Sequence, residues 1–367
     1  MENSDSILSN RIDSKSGVWM QLRLNRPKAL NALSIDMLRL IASELQRASE
    51  DPSVKGVILD STIEKAFCAG GDVKGVVQEL LAGNKESARS YFLQEYSVDY
   101  QVHSFEKPLV TWMNGYVFGG GVGLAVGSGY RIVTPQTLLA MPESKIGFFP
   151  DVGASLFLGR MPWPIGLFAA WSGYRFTPED AVAYGLADFI IDQPYHSKLL
   201  QHIETIESED TYGIKQELRS WLLNFRIEKE SPLFETEFEK LKGISPDLSA
   251  MDCFNAFLEL KSDKFFGPWV KQIESGSPTS LAMGFAQMKW AQKKREAKES
   301  FDISQALNAE LALAEWAATQ NDFALGVKSL LIDKSPNVTW VPENLKSIDT
   351  ANLIKILEEN QDSNLIE

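Results

Sequence analysis

The sequence predicts an α/β fold followed by a mainly helical lobe, and two observations carry that expectation. In the first half of the chain, short apolar runs alternate with segments of helical periodicity, the pattern of strands joined by right-handed crossovers. Beyond about residue 192 the texture changes, and residues 197–317 are rich in Glu, Lys, Leu and Ala with few strand-like runs. A boundary near residue 195 follows, with a core over 1–195 and a helical lobe over 196–367. Taken in order, residues 18–24 have strand character until Asn25-Arg26-Pro27-Lys28 breaks the run. Ser34 is a favourable N-cap, and behind it Met37, Leu38, Ile41, Leu45 and Ala48 recur at helical spacing. Residues 54–60 read as a buried strand, 107–113 as another, and 130–133 and 138–141 as two short ones. Ser277-Pro278 is an N-cap followed by a first-turn proline, opening a helix through Trp290. The tail from Glu358 is expected to fray.

Composition narrows the function classes. The 367 residues are 44% hydrophobic and 23% charged, ordinary values for a globular chain. No apolar run reaches membrane-spanning length, so no membrane role is expected. Residues 1–11 are polar and mildly acidic, unlike a signal or transit peptide. Cys68 and Cys253 form neither a disulfide framework nor a metal-ligand spacing, and we read them as reduced core thiols. That points to the cytoplasm, or to a mitochondrial matrix or peroxisome if a targeting segment has been removed. A net charge of −13 argues against a nucleic-acid partner. It also means that a phosphate-bearing ligand needs a local basic cluster, for which Arg26, Lys28, Lys65 and Lys74 are the candidates.

Several catalytic signatures fail on spacing. Gly121-x-Gly123 would need glycine at 126 for dinucleotide binding, and residue 126 is valine. Walker A, H-E-x-x-H and G-x-S-x-G sequences do not occur. His103, His196 and His202 sit in ordinary surroundings and read as structural, so no metal is expected. Three other segments do carry chemistry: residues 65–72 (Lys-Ala-Phe-Cys-Ala-Gly-Gly-Asp), residues 114–124 with Gly119 to Gly121 and Gly123, and residues 141–153 with Glu143 and Asp151. Glycine-rich turns let backbone amides approach a ligand closely, and the second turn opens a helix whose first amides lack acceptors. Two amides converging on one oxygen make an oxyanion hole, and a carboxylate supplies acid/base or nucleophilic power.

In this order, with Asn25-Arg26-Pro27-x-Ala29-Leu30-Asn31-Ala32-Leu33 ahead of them, these segments resemble the crotonase superfamily over residues 15–190. The resemblance implies a ββα spiral core that stabilises a thioester enolate or tetrahedral oxyanion. It implies that the Gly71 and Gly120 amides are the oxyanion hole, and that backbone around Lys28, Leu30, Ala69 and Asp72 holds coenzyme A. Enoyl-CoA hydratases use two glutamates; the first position here is Gly123 and the second is Glu143. Glu143 with Asp151, and Glu95 upstream, is similar to the hydrolases of 3-hydroxyisobutyryl-CoA. Asn321-Asp322-Phe323, residues 330–334 and Trp340 extend the likeness, while Leu325 and Ala154 depart from it.

The resemblance thus implies a hydrolase acting on a short 3-hydroxyacyl-CoA in valine breakdown, with Glu143 as base or nucleophile and Asp151 on the substrate hydroxyl. Hydration or isomerisation of an enoyl-CoA is the second reading, and a non-catalytic CoA-binding module the third. Coenzyme A enters as part of the substrate, so no separate cofactor is expected. A homo-oligomer fits the resemblance, since relatives are often trimers or hexamers. Bland alternatives stand beside each residue: a solvated Glu143, an exposed Glu95, and an Asp151 that caps a helix beginning at Val152.

Overall fold

In the computed structural model, which describes residues 6–228, 232–299, 301–335 and 337–366, the chain begins with a hairpin. The first five residues of the polar N-terminal stretch lie outside the described set. Strand β1 (Ile7–Ser14) pairs antiparallel with β2 (Gly17–Leu24). The remaining strands of that sheet are parallel: β3 (Val54–Ser61), β5 (Leu109–Met113), β7 (Tyr130–Val133) and β9 (Phe189–Ile190), in the order β1-β2-β3-β5-β7-β9. A second sheet has the order β4 (Ala66–Cys68), β6 (Tyr116–Phe118) and β8 (Leu138–Ala140).

The first crossover is built as the sequence pattern requires. Ser34 caps the Ile35–Glu50 helix by accepting from the Met37 amide, and the five apolar positions at helical spacing are all buried. Strand β3 has a nearly continuous buried run because a parallel strand is covered on both faces. Strand β1 was not legible: half of its side chains are exposed and only Ile7 is buried, as an edge strand permits.

The chain divides into two units, neither continuous in sequence. The first comprises Met1–Gly71, Ser97–Leu139 and Phe176–Leu233; the second comprises Asp72–Tyr96, Ala140–Arg175 and Phe234–Glu367. The change of texture near residue 195 is therefore not where the chain crosses between units. Leu199, Ile203, Ile214, Leu218 and Leu222, from helices Tyr195–Thr205 and Thr211–Phe225, pack into one core with Trp19, Ile58, Val110 and Ile132 of the large sheet. Burying that apolar stripe keeps both helices with the sheet, and the last crossing falls after residue 233.

The second unit is helical, with an aromatic cluster in which Phe168, Tyr174, Phe234, Phe257 and Phe266 meet largely edge to face. Its longest helix, Pro278–Ala297, starts where Ser277-Pro278 predicts, Ser277 Oγ accepting from the Ser280 amide, and runs seven residues beyond Trp290. The expected fraying from Glu358 does not occur. The Thr350–Asn360 helix continues past it, and Asn308 Oδ1 accepts the Leu365 and Ile366 amides at 3.0 and 3.1 Å. Ile366 is buried, so a short apolar anchor holds what composition alone marks as a tail. Among the described residues no helix is long and apolar enough to cross a membrane.

Candidate functional site

The first unit assembles the glycine turns. Strands β4 and β6 run parallel, Ala66 opposite Tyr116 and Cys68 opposite Val117, so both turns leave from the same end of the small sheet. Close approach there demands glycine: a Cβ on Gly121 would lie 2.7 Å from Cys68 Cβ and 2.8 Å from its carbonyl oxygen. Gly119 sits at φ 50°, ψ −123°, and Gly120 opens the Gly120–Val126 helix, so the Gly120 amide has no acceptor within the helix. The Asn25-to-Leu33 segment is stitched to the first turn. Leu33 N–H donates to Gly70 O at 2.9 Å, Ala69 N–H to Leu30 O at 3.0 Å, and Asn31 Nδ2 to Phe67 O at 3.0 Å. Leu30 and Asn31 are both left-handed, with φ of 50° and 59°, which turns their carbonyls toward β4. The structure thus gathers Leu30, Ala69, Gly71 and Gly120 about two adjacent turns, with Lys28 exposed on the Pro27–Ala29 turn. Arg26 is half-buried, its guanidinium bonded to the Ala32 carbonyl at 3.0 Å. Neither Cys68 nor Cys253 is in a disulfide, both are buried, and burial pushes the Cys253 thiol up to about 12.

The carboxylates belong to the second unit, and all three sequence candidates are buried. Glu95 is 3% exposed, Glu143 8% and Asp151 5%, so neither a solvated Glu143 nor an exposed Glu95 describes this chain. Glu95 lies on the Lys85–His103 helix one turn beyond Tyr91, whose hydroxyl donates to Glu95 Oε1 at 3.4 Å and accepts from the Asp72 amide at 3.1 Å. Glu143 opens a short 3-10 helix, Glu143–Ile146. Behind it, Gly147 (φ 78°) and Gly326 allow two backbones to touch: a Cβ on Gly147 would meet Asp322 O at 2.0 Å, and one on Gly326 would meet Ile146 C at 2.4 Å. Asp322 is itself fixed by the Ser277 hydroxyl at 2.5 Å and the Val341 amide at 2.8 Å, which gives the Asn321-Asp322-Phe323 motif a structural reason.

Asp151 is not a helix cap. Val152 (φ 54°) and Gly153 (φ 89°) both turn left-handed, so the next helix starts at Ala154 with Gly153 as its N-cap. The Asp151 carboxylate instead accepts the Tyr96 hydroxyl at 2.7 Å. A buried valine at positive φ stores strain on the order of 1–3 kcal/mol, which something nearby must offset. Glu310, on the Ile303–Ala318 helix, supplies the holding contacts. Its Oε2 accepts Gly153 N–H at 2.7 Å, and its Oε1 accepts Ser155 N–H at 2.8 Å, Ser155 Oγ at 2.6 Å and Gln287 Nε2 at 3.0 Å. Gln287 Nε2 also donates to Pro150 O at 2.6 Å.

Desolvation dominates the electrostatics. It raises Glu143 and Glu95 well above the usual glutamate range, with the Asp151 charge as second cause for each. It lifts Asp151 to about 7 against the lowering effect of the Tyr96 hydrogen bond, and Glu310 to about 7 against its bonds to Ser155 and Gly153. Glu143 Oε2 has no hydrogen-bond partner among the described residues. A buried carboxylate with a free oxygen and a raised pKa, beside a second carboxylate, is arranged to act as a proton acceptor. Tyr96, Ser155, Gln287 and Glu310 escaped the sequence reading, although a glutamine and a glutamate inside apolar helical stretches are a usable signal of buried polar work.

The enoyl-CoA hydratase/isomerase family matches residues 19–357. Curated relatives named "3-hydroxyisobutyryl-CoA hydrolase, mitochondrial" include the Xenopus tropicalis protein, 32% identical over 336 residues (91% of this chain, 85% of that one). The Danio rerio protein is 33% identical over the same span and coverage. The Homo sapiens protein is 31% identical over 348 residues, covering 92% of this chain and 86% of its own. Among solved structures, a carnitinyl-CoA dehydratase from Mycobacterium thermoresistibile superposes with a TM-score of 0.83 at 27% identity, covering 97% of this chain and 96% of that one. An enoyl-CoA hydratase from Rhodobacter sphaeroides gives 0.81 at 26% identity, covering 96% and 97%.

Proposed function

This chain belongs to the enoyl-CoA hydratase/isomerase (crotonase) family, and from that premise we propose that it hydrolyses a short 3-hydroxyacyl-CoA thioester, foremost 3-hydroxyisobutyryl-CoA. The observation that supports it most is the buried pair Glu143 and Asp151 combined with glycine at 123, where a hydratase would carry its first glutamate. The relatives named as hydrolases of that thioester support the substrate, and we assign it a place in valine breakdown.

The assigned roles are chemical. The Gly71 and Gly120 amides would take the thioester carbonyl oxygen as it becomes an oxyanion. Glu143, ionised, would either draw a proton from the attacking water or attack the carbonyl carbon itself. In the first route the carbon–sulfur bond breaks and that proton passes to the CoA thiolate. In the second the carbon–sulfur bond breaks to leave a mixed anhydride on Glu143, which water then hydrolyses, freeing the Glu143 carboxylate and giving the water's proton to the thiolate. Asp151, its other oxygen held by Tyr96, would accept the substrate 3-hydroxyl. Backbone around Lys28, Leu30, Ala69 and Asp72 would hold the nucleotide and pantetheine, with Glu95 bounding the acyl site.

The two superposed structures, a carnitinyl-CoA dehydratase and an enoyl-CoA hydratase, favour a second reading, addition or removal of water at an enoyl-CoA. A panel of acyl-CoAs separates them. Thiol release from 3-hydroxyisobutyryl-CoA is the expected result; loss of the enoyl absorbance of crotonyl-CoA without thiol release would replace hydrolysis by hydration. Glu143→Gln should lower turnover by on the order of a hundred- to ten-thousand-fold with CoA affinity intact.

A further inference from the structure

The 151–155 turn is costly as it stands: Val152 is β-branched, fully buried and left-handed, and Gly153 follows it at φ 89°. Nothing local explains why the chain keeps this shape. The Ala154 amide bonds the Asp151 carbonyl at 2.9 Å, which closes the turn but does not choose its hand. The external grip comes from one side chain more than 150 residues away. Glu310 is 0% exposed and takes the two amides that flank Ala154, from Gly153 and Ser155, together with the Ser155 hydroxyl. Gln287, equally buried, ties the same carboxylate to the Pro150 carbonyl just ahead of Asp151. Both ends of the Asp151 turn are therefore fastened to one carboxylate, while Tyr96 fixes the Asp151 side chain from the other direction.

We propose that Glu310 is a positioning residue, whose buried carboxylate locks the 151–155 turn and so aims the Asp151 carboxylate at the substrate hydroxyl. Its functional half rests on the hydrolase reading above. A glutamate serves here and a glutamine does not, because all four contacts to Glu310 are N–H or O–H donors pointing at its oxygens. In Glu310→Gln one oxygen becomes an NH2 group. Whichever way the amide lies, a donor then faces the Gly153 amide or the Ser155 and Gln287 donors. The turn must rearrange, and a misplacement of about 1 Å suffices to cost on the order of a hundredfold in rate.

The test compares wild type, Glu310→Gln, Asp151→Asn and the double variant on 3-hydroxyisobutyryl-CoA and isobutyryl-CoA. In Glu310→Gln, kcat on the hydroxyacyl thioester should fall by on the order of a hundredfold with CoA affinity unchanged, and the preference over isobutyryl-CoA should fall to that of Asp151→Asn. Adding Glu310→Gln to Asp151→Asn should change little, because a residue acting through Asp151 then has nothing left to aim. A lowered melting temperature with preference retained, or effects that simply add, would overturn the inference and leave the hydrolase reading standing. A crystal structure of Glu310→Gln decides the geometric half independently. Asp151 should leave Tyr96 and Val152 should leave positive φ; an unmoved turn overturns the proposal. If wild type releases thiol from neither thioester, the hydrolase reading fails and that structure alone decides whether Glu310 holds the turn. Should Glu310→Gln not fold, Ser155→Ala removes one bond to Glu310 and carries the same measurements, with a smaller effect in the same direction.

Discussion

At the residue scale, Asp151 is the most informative position, because its environment separates roles that the sequence left open. As a helix cap, asparagine would replace it at little cost. The structure gives the cap to Gly153 and the Asp151 carboxylate to Tyr96; on the role proposed for it, Asp151→Asn should instead weaken a charge-assisted bond to the substrate hydroxyl. The ratio of 3-hydroxyisobutyryl-CoA to isobutyryl-CoA turnover should then fall by about tenfold or more, measured as kcat/KM for each. An unchanged ratio would return Asp151 to a structural role. The same residue makes a prediction about pH. Asp151 titrates near 7 in the folded chain against an ordinary value of 3.8, so the folded state binds this proton more tightly than the unfolded one. Its contribution to stability is then fully present below the unfolded value and lost as pH rises through about 7. Melting temperature measured from about pH 5 to pH 8 should decline less steeply in Asp151→Asn than in wild type. Equal slopes would mean that burial does not raise this carboxyl's affinity for its proton.

At the element scale, what was legible in the sequence followed from local physics. Ser34 and Ser277 announced two helices through capping, and β2, β3, β5, β7 and β8 were visible as apolar runs. The three glycine and carboxylate segments were readable because close backbone approach admits few other residues. Strands β1, β4, β6 and β9 were not readable, for β1 is an edge strand with outward polar side chains, β9 has only two residues, and β4 and β6 are short runs inside the glycine-rich segments. Nor could local pattern show that helices 195–205 and 211–225 stay with the sheet, or that Glu310 would meet Ser155, since both depend on contacts far apart in sequence. The glycine argument can be tested element by element. Gly121→Ala would thrust a Cβ against Cys68 at 2.7 Å and push the Gly120–Val126 helix off β4, so thioester turnover should fall by on the order of a hundredfold or more. Gly75, within the Val73–Leu81 helix, has nothing within 4 Å of its missing Cβ. Gly75→Ala should therefore stabilise the protein by about 0.5–1 kcal/mol through helix propensity and leave activity alone. If both substitutions behaved alike in paired melting and activity assays, close packing would not be what keeps Gly121.

At the scale of the whole molecule, 36 basic residues stand against 49 acidic ones, and the proposed ligand is a polyanion. Two opposing fields act on it. The net charge of −13 repels coenzyme A at long range, while basic side chains near its binding segments attract it at short range. The structure qualifies the second field. Arg26 spends its guanidinium partly on the Ala32 carbonyl, and Lys74 lies in the second unit. Lys28 and Lys65 are exposed and belong to the same unit as Leu30 and Ala69. Salt distinguishes the two fields by sign, because it screens both within about 8–10 Å near physiological ionic strength. Were repulsion dominant, adding salt would tighten CoA binding. Were local attraction dominant, it would weaken it, and that is the expected result. Calorimetric CoA affinity should fall several-fold between low and physiological salt, and Lys28→Glu with Lys65→Glu should lower the low-salt affinity and flatten or reverse the slope. A wild-type affinity that rises with salt, or a slope indifferent to those two charges, would move the nucleotide away from the Pro27–Ala29 turn and leave the anion to be held by backbone amides alone.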